Sequence, residues 1–80
     1  MAYRPQYSRN AEKYLDAQTK SVQRRIMDAV DKLPKGDVSK LQGREGYRLT
    51  VGSFRVLFDY LDDNIIDVIA IGPRGDIYKK

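Results

Sequence analysis

Tyr47-Arg48-Leu49-Thr50-Val51-Gly52-Ser53-Phe54-Arg55-Val56-Leu57-Phe58 is the stretch whose reading decides the fold. Tyr47, Leu49 and Val51 alternate with Arg48 and Thr50, and Phe54, Val56, Phe58 and Tyr60 alternate with Arg55, Leu57 and Asp59. A period of two is the mark of a strand with one face buried. Gly52-Ser53 between two such runs predicts a two-residue type II′ hairpin, with glycine at the position that needs positive φ. That turn sets Val51 opposite Phe54, Leu49 opposite Val56 and Tyr47 opposite Phe58. One face is then apolar throughout, while Arg48, Thr50 and Arg55 gather on the other.

Working outward, Ile65–Ile71 predicts a third strand after the turn at Asp62-Asp63-Asn64. With a three-residue loop, Ile66, Val68 and Ala70 join the apolar face and Ile71 lies beside Arg55. This register sets Asp59 against Asp67, a mildly unfavourable like-charge pair. A shift of one residue would bury Asp67, which costs more. Gly72-Pro73 then leads the chain out and brings Arg74 to the end of the sheet that holds Arg55. Asp76-Ile77-Tyr78 reads as a short strand or a tail.

Upstream, Val22, Ile26, Ala29, Val30 and Leu33 recur at helical spacing. Ser21 is the expected cap of this helix, Pro34 its end, and Lys35-Gly36-Asp37 a turn. A shorter helix is expected from a Ser8 cap to about Gln18, with Ala11, Tyr14 and Leu15 on one face. Met1–Tyr7 reads as a strand, and Pro5 confines it to an edge. The expected architecture is α+β in a single domain of residues 1–80: an N-terminal strand, two helices, then an antiparallel meander sheet with the helices packed on one face.

Composition limits the chemistry. The 80 residues contain no His and no Cys. That excludes imidazole acid–base work, the usual nucleophilic triads and the usual zinc sites. A formal charge of +4 points to anionic partners. No apolar run approaches the roughly 20 residues that span a bilayer, and the N-terminus lacks the apolar region of a signal peptide, so a cytoplasmic chain without a membrane partner is expected.

Three constellations carry possible chemistry. Arg48, Arg55 and Arg74, with Tyr78 beyond, can converge on a phosphodiester. Guanidinium groups bind phosphate bidentately and stabilise the extra charge of a pentacoordinate phosphorane. Outward arginines on strands also serve as plain solubilising charges, with Tyr78 a partly buried aromatic, and spacing alone favours that plainer reading. Asp59, Asp62, Asp63 and Asp67 form an acidic cluster, read as a polar turn with solvated charge in preference to a Mg²⁺ site. Arg24-Arg25, with Lys20 one turn earlier, marks a basic helix face able to meet a nucleic-acid backbone.

Lys40-Leu41-Gln42-Gly43, the hairpin from Gly46 to Phe58, Ile69-Ala70-Ile71-Gly72-Pro73-Arg74 and Ile77-Tyr78 together resemble the RelE family of toxin–antitoxin toxins, within the RelE/ParE superfamily. The resemblance implies the RelE-like microbial RNase fold. It also implies a ribosome-dependent mRNA endoribonuclease that needs no cofactor or metal and cuts A-site mRNA by attack of a 2′-hydroxyl, leaving a 2′,3′-cyclic phosphate. Position by position, Arg48 matches a basic strand residue near the attacking hydroxyl, and Arg55 the arginine on the scissile phosphate. Arg74 matches the arginine near the leaving group, and Tyr78 a tyrosine that orients the base and shares in proton transfer. Gln42 and Thr50 stand where some members carry basic residues, and Pro73 where many have His. Lys20, Arg24, Arg25, Lys40 and Arg44 are the residues assigned to RNA and ribosome contacts. The implied partners are mRNA in the ribosomal A site, 16S rRNA and a RelB-like antitoxin, with DNA reached only through the antitoxin. Outward Ile65 and Ile69, amid basic surface, suit an acidic amphipathic antitoxin. The alternative is a ParE-like inhibitor of DNA gyrase without nuclease activity.

Overall fold

The computed structural model describes residues 3–62 and 64–73. Its elements follow the order β1 (Arg4–Tyr7), α1 (Arg9–Asp16), α2 (Lys20–Asp31), β2 (Asp37–Lys40), β3 (Tyr47–Val51), β4 (Phe54–Tyr60) and β5 (Ile65–Pro73). The strands form one sheet in the order β1-β5-β4-β3-β2. Only the β1–β5 pair is parallel. Pro5 lies on an edge strand, where its missing N–H costs no ladder bond.

The central hairpin has the expected register, with Val51 opposite Phe54, Leu49 opposite Val56 and Tyr47 opposite Phe58. Gly52 takes φ +57°, and no non-glycine residue described has positive φ, which fits a type II′ turn. Leu49, Val56 and Phe58 are almost fully buried against Ile26 and Val30 of α2 and Ala11 and Leu15 of α1. The opposite face carries Arg48, Thr50 and Arg55.

Local signals explain the helices, with three corrections. The cap of α2 is Thr19, whose Oγ1 accepts from the Val22 N–H at 3.2 Å; Ser21 lies inside the helix. A cap bonds the N–H three residues on, and Thr19 meets that condition just before the first turn. Helix α1 ends at Asp16, and the carbonyls of Leu15 and Gln18 accept from Gln23 Nε2. Asp37 opens a fourth antiparallel strand rather than closing a turn. Asp37–Lys40 pairs with Thr50–Tyr47 and carries Val38 inward. A single inward apolar residue in a four-residue strand gives too short a period to read.

The third meander strand begins at Ile65 and sets Asp59 opposite Asp67 as expected, but its parity changes midway. Phe58 pairs with Val68 and Leu57 with Ala70, so Ile69 is the extra residue of a β-bulge. Ala70 therefore leaves the core face, Ile71 enters it opposite Val56, and Gly72 stands opposite Arg55 in place of Ile71. Ser8 holds the bulge: its N–H donates to the Val68 carbonyl at 2.9 Å and its hydroxyl to the Ile69 carbonyl at 2.7 Å. The same Oγ accepts from the Ala11 N–H at 3.0 Å and so caps α1. Ile69 projects into solvent.

The bulge makes a direct prediction. Ile71→Ala should cost about 2–5 kcal/mol in urea denaturation, whereas Ala70→Ser should change stability by no more than about 0.5 kcal/mol. The reverse order would restore the unbulged register.

Candidate nucleic-acid interface

Arg48 and Arg55 reach the same surface because the hairpin register fixes both on the face turned away from the helices. Arg55 pairs with Thr50, and Arg48 is its diagonal neighbour. Both are half-buried, and the Nε of each is buried. Leu57, the cross-strand partner of Arg48 and Ala70, is buried on this outer face, where strict alternation had placed it among outward residues. It lies outside the helix-side core cluster, as does the buried Leu41. Apolar surroundings reduce water's screening and strengthen the field of a nearby guanidinium.

A depression of about 580 Å³ opens over these residues, lined by Ser39, Lys40, Leu41, Gln42, Arg44, Arg48 and Arg55. Four of the seven are cations, and no carboxylate is among the described lining residues. The loop from Leu41 to Gly46 that walls it closes with a bond from the Leu41 N–H to the Gly46 carbonyl, 3.0 Å. Gly46 adopts φ +115°, and a β-carbon there would press on Leu41 Cδ1 and the Phe58 carbonyl oxygen at 3.3 Å each. Lys40 and Arg44 are thus carried to Arg48 and Arg55 by β2 and its following loop. Ser39 and Leu41 are lining residues that sequence reasoning passed over. Glycines at 36 and 43 around Val38 were the available signal for the strand that positions them.

The other basic residues lie elsewhere. Helix α2 packs through Ile26 and Val30 on the opposite side of the sheet, so the exposed Lys20, Arg24 and Arg25 do not join the depression. Lys20 and Arg24 border a shallower hollow with Asp28 and Asp31, and Arg25 a groove with Asp28 and Asp37. Both of those mix charges. Arg74 and Tyr78 lie outside the described residues, as does Asp63. The Asp62 carboxylate accepts from the N–H groups of Asn64 and Ile65 at 2.8 and 3.0 Å, which makes it a turn residue. Among the described residues no group of three or more acidic side chains could hold a metal ion. No helix among them is long and apolar enough to cross a membrane.

The family model of the ParE toxin of type II toxin–antitoxin systems, parDE, matches residues 5–78. The chain belongs to this toxin family, in the RelE/ParE superfamily. Among solved structures it is similar to an archaeal RelE–RelB complex from Pyrococcus horikoshii. The identity is 30%, covering 95% of this chain and 99% of that one, with a TM-score of 0.73. A RelB–RelE antitoxin–toxin complex from Methanococcus jannaschii matches at 20% identity over 90% of this chain and 93% of that one, TM-score 0.72, a likeness of fold. No curated protein matches.

The phenols of Tyr7 and Tyr60 are perturbed. Burial, and secondarily the Asp31 carboxylate, pushes Tyr7 up to about 12. Its hydroxyl is buried with no hydrogen-bond partner among the described residues. Tyr60 is also raised, by burial and then by Tyr3 and Tyr47. A phenol raised in the folded state stabilises the fold fully below pH 10 and loses that contribution as pH climbs toward 12. Tyr7→Phe should therefore make the alkaline decline in stability between about pH 10 and 12 shallower, with little loss at neutral pH because it removes an unsatisfied hydroxyl. Denaturation midpoints across that range check this; an unchanged slope would contradict it.

Proposed function

We propose that the toxin is a ribosome-dependent mRNA endoribonuclease that arrests translation by cutting mRNA in the ribosomal A site. The observation that carries this reading is the depression holding Lys40, Arg44, Arg48 and Arg55 without a described carboxylate. Such a surface attracts a phosphodiester and repels little of it. The family resemblance of the same strand residues supports the assignment, as does the 30% identity to an archaeal RelE.

The chemistry asks for no metal or cofactor. The 2′-hydroxyl gives up its proton as its oxygen attacks the adjacent phosphorus in line. The bond from phosphorus to the 5′-oxygen breaks, and that oxygen takes a proton. Arg48 lies near the nucleophile, and Arg55 holds the non-bridging oxygens as their charge rises in the phosphorane. Arg74 is assigned to the leaving group and Tyr78 to orienting the base and moving a proton. Codon placement and in-line geometry come from the ribosome, which supplies most of the positioning advantage. The toxin is held silent by a cognate RelB-like antitoxin; the two solved structures named above are complexes with RelB.

A second reading, inhibition of DNA gyrase, is favoured by the family model, which is that of ParE. Primer extension on a translated reporter after brief induction separates the two. Cuts inside ribosome-occupied codons are expected, and Arg55→Ala should reduce cleavage about 10²–10³-fold, the usual loss when one preorganised donor to a developing oxyanion is removed. Intact mRNA accompanied by a DNA-damage response and supercoiling defects would overturn the nuclease reading in favour of gyrase.

A further inference from the structure

We propose that Tyr47, with Lys40 beside it, is a stacking subsite for one unpaired base of the RNA strand whose phosphates occupy the cationic depression. The proposal rests on the RNA reading above and adds a contact on the other side of the sheet. Tyr47 opens β3 on the face that carries Leu49 and is only half-buried. Its ring stacks on Phe58 of β4, with centroids 5.6 Å apart and planes inclined by 24°. Phe58 lies on the β4 side of Tyr47, and β2 runs along its other side. There the cross-strand partner of Tyr47 is Lys40, which is exposed.

Lys40 also lines the depression. It therefore joins the two surfaces at the end of the short edge strand β2, around which a single strand can turn from the arginines to the ring. Tyr60 braces the platform from behind, edge-on to Tyr47 at 5.2 Å and to Phe58 at 5.6 Å, and Tyr3 packs on Tyr60 at 5.3 Å. A ring held by Phe58 and Tyr60 loses little freedom when a base settles on it. Cations that track a backbone beside an aromatic face are how single-stranded nucleic acid is gripped without sequence reading. Lys40 beside Tyr47, continuous with the cationic depression, favours this anionic occupant.

The test uses the full-length toxin and a 2′-O-methyl RNA oligonucleotide, which has no 2′-hydroxyl to attack with. Binding is followed by anisotropy of the labelled strand and by tyrosine emission, which is readable because the chain contains no Trp. Tyr47→Leu should weaken binding about 5- to 150-fold, the loss of one base–aromatic stack, and Tyr47→Phe should bind like the parent. Replacing single nucleotides by abasic ones should reproduce the loss at one position on unaltered protein, so the test survives a Tyr47→Leu chain that fails to fold. If Arg48→Ala and Arg55→Ala weaken binding while Tyr47→Leu and every abasic strand bind normally, the subsite is wrong and the RNA reading stands. Binding that is absent, or indifferent to both arginines, overturns the subsite, and primer extension on a translated reporter then decides the RNA reading separately. Loss of antitoxin binding in Tyr47→Leu with RNA affinity intact assigns the ring to a protein contact and overturns the subsite.

Discussion

The two-residue turn at Gly52-Ser53 is the constraint on which the rest of the molecule depends. With Gly52 at φ +57°, the turn leaves only one pairing of β3 with β4, Val51 against Phe54. That pairing sends Leu49, Val56 and Phe58 toward the helices and Arg48 and Arg55 away from them. A slip of one residue would exchange the faces. Two guanidinium groups would then enter the core and its apolar residues would meet water, at a cost far beyond the few kcal/mol by which small domains are stable. Core and cationic face are one decision.

The bulge at Ile69 is a second constraint, imposed from outside the hairpin. Ile66, Val68 and Ile71 are all buried on the helix side, and no unbroken alternation can place positions 66, 68 and 71 on one face. The extra residue resolves the conflict, and Ser8 ties it to the start of α1. Its consequence at the site is that Gly72 pairs with Arg55, so no β-carbon stands beside that arginine on its β5 side, while Thr50 flanks it on the β3 side.

The hairpin was legible in the sequence because its signal is local: a period of two on either side of a turn with glycine where positive φ is needed. The core stripe of α2 was legible for the same reason. The bulge was not, because Ile69-Ala70-Ile71 alternates as well unbulged as bulged, and the choice is made by packing and by a hydroxyl 61 residues away. Strand β2 was hidden by its brevity. Of the basic residues, Arg48 and Arg55 could be placed together since strand parity fixes a face. Lys20, Arg24 and Arg25 could be read as one helix face but not assigned to a side of the sheet, which depends on how the Ile26 and Val30 stripe docks. Asp59 against Asp67 was anticipated, and the Asp59 carboxylate also accepts from the Tyr60 N–H at 2.9 Å.

The central proposal is that Arg48 and Arg55, set on one face by a single turn, act together on one phosphate. A double-mutant cycle on reporter-mRNA cleavage tests it most directly, comparing Arg48→Ala, Arg55→Ala and the pair. Groups that act as a unit are strongly non-additive. The double variant is expected to cleave hardly more slowly than the weaker single variant. Losses that simply multiply would contradict it, because they would mean two independent cations.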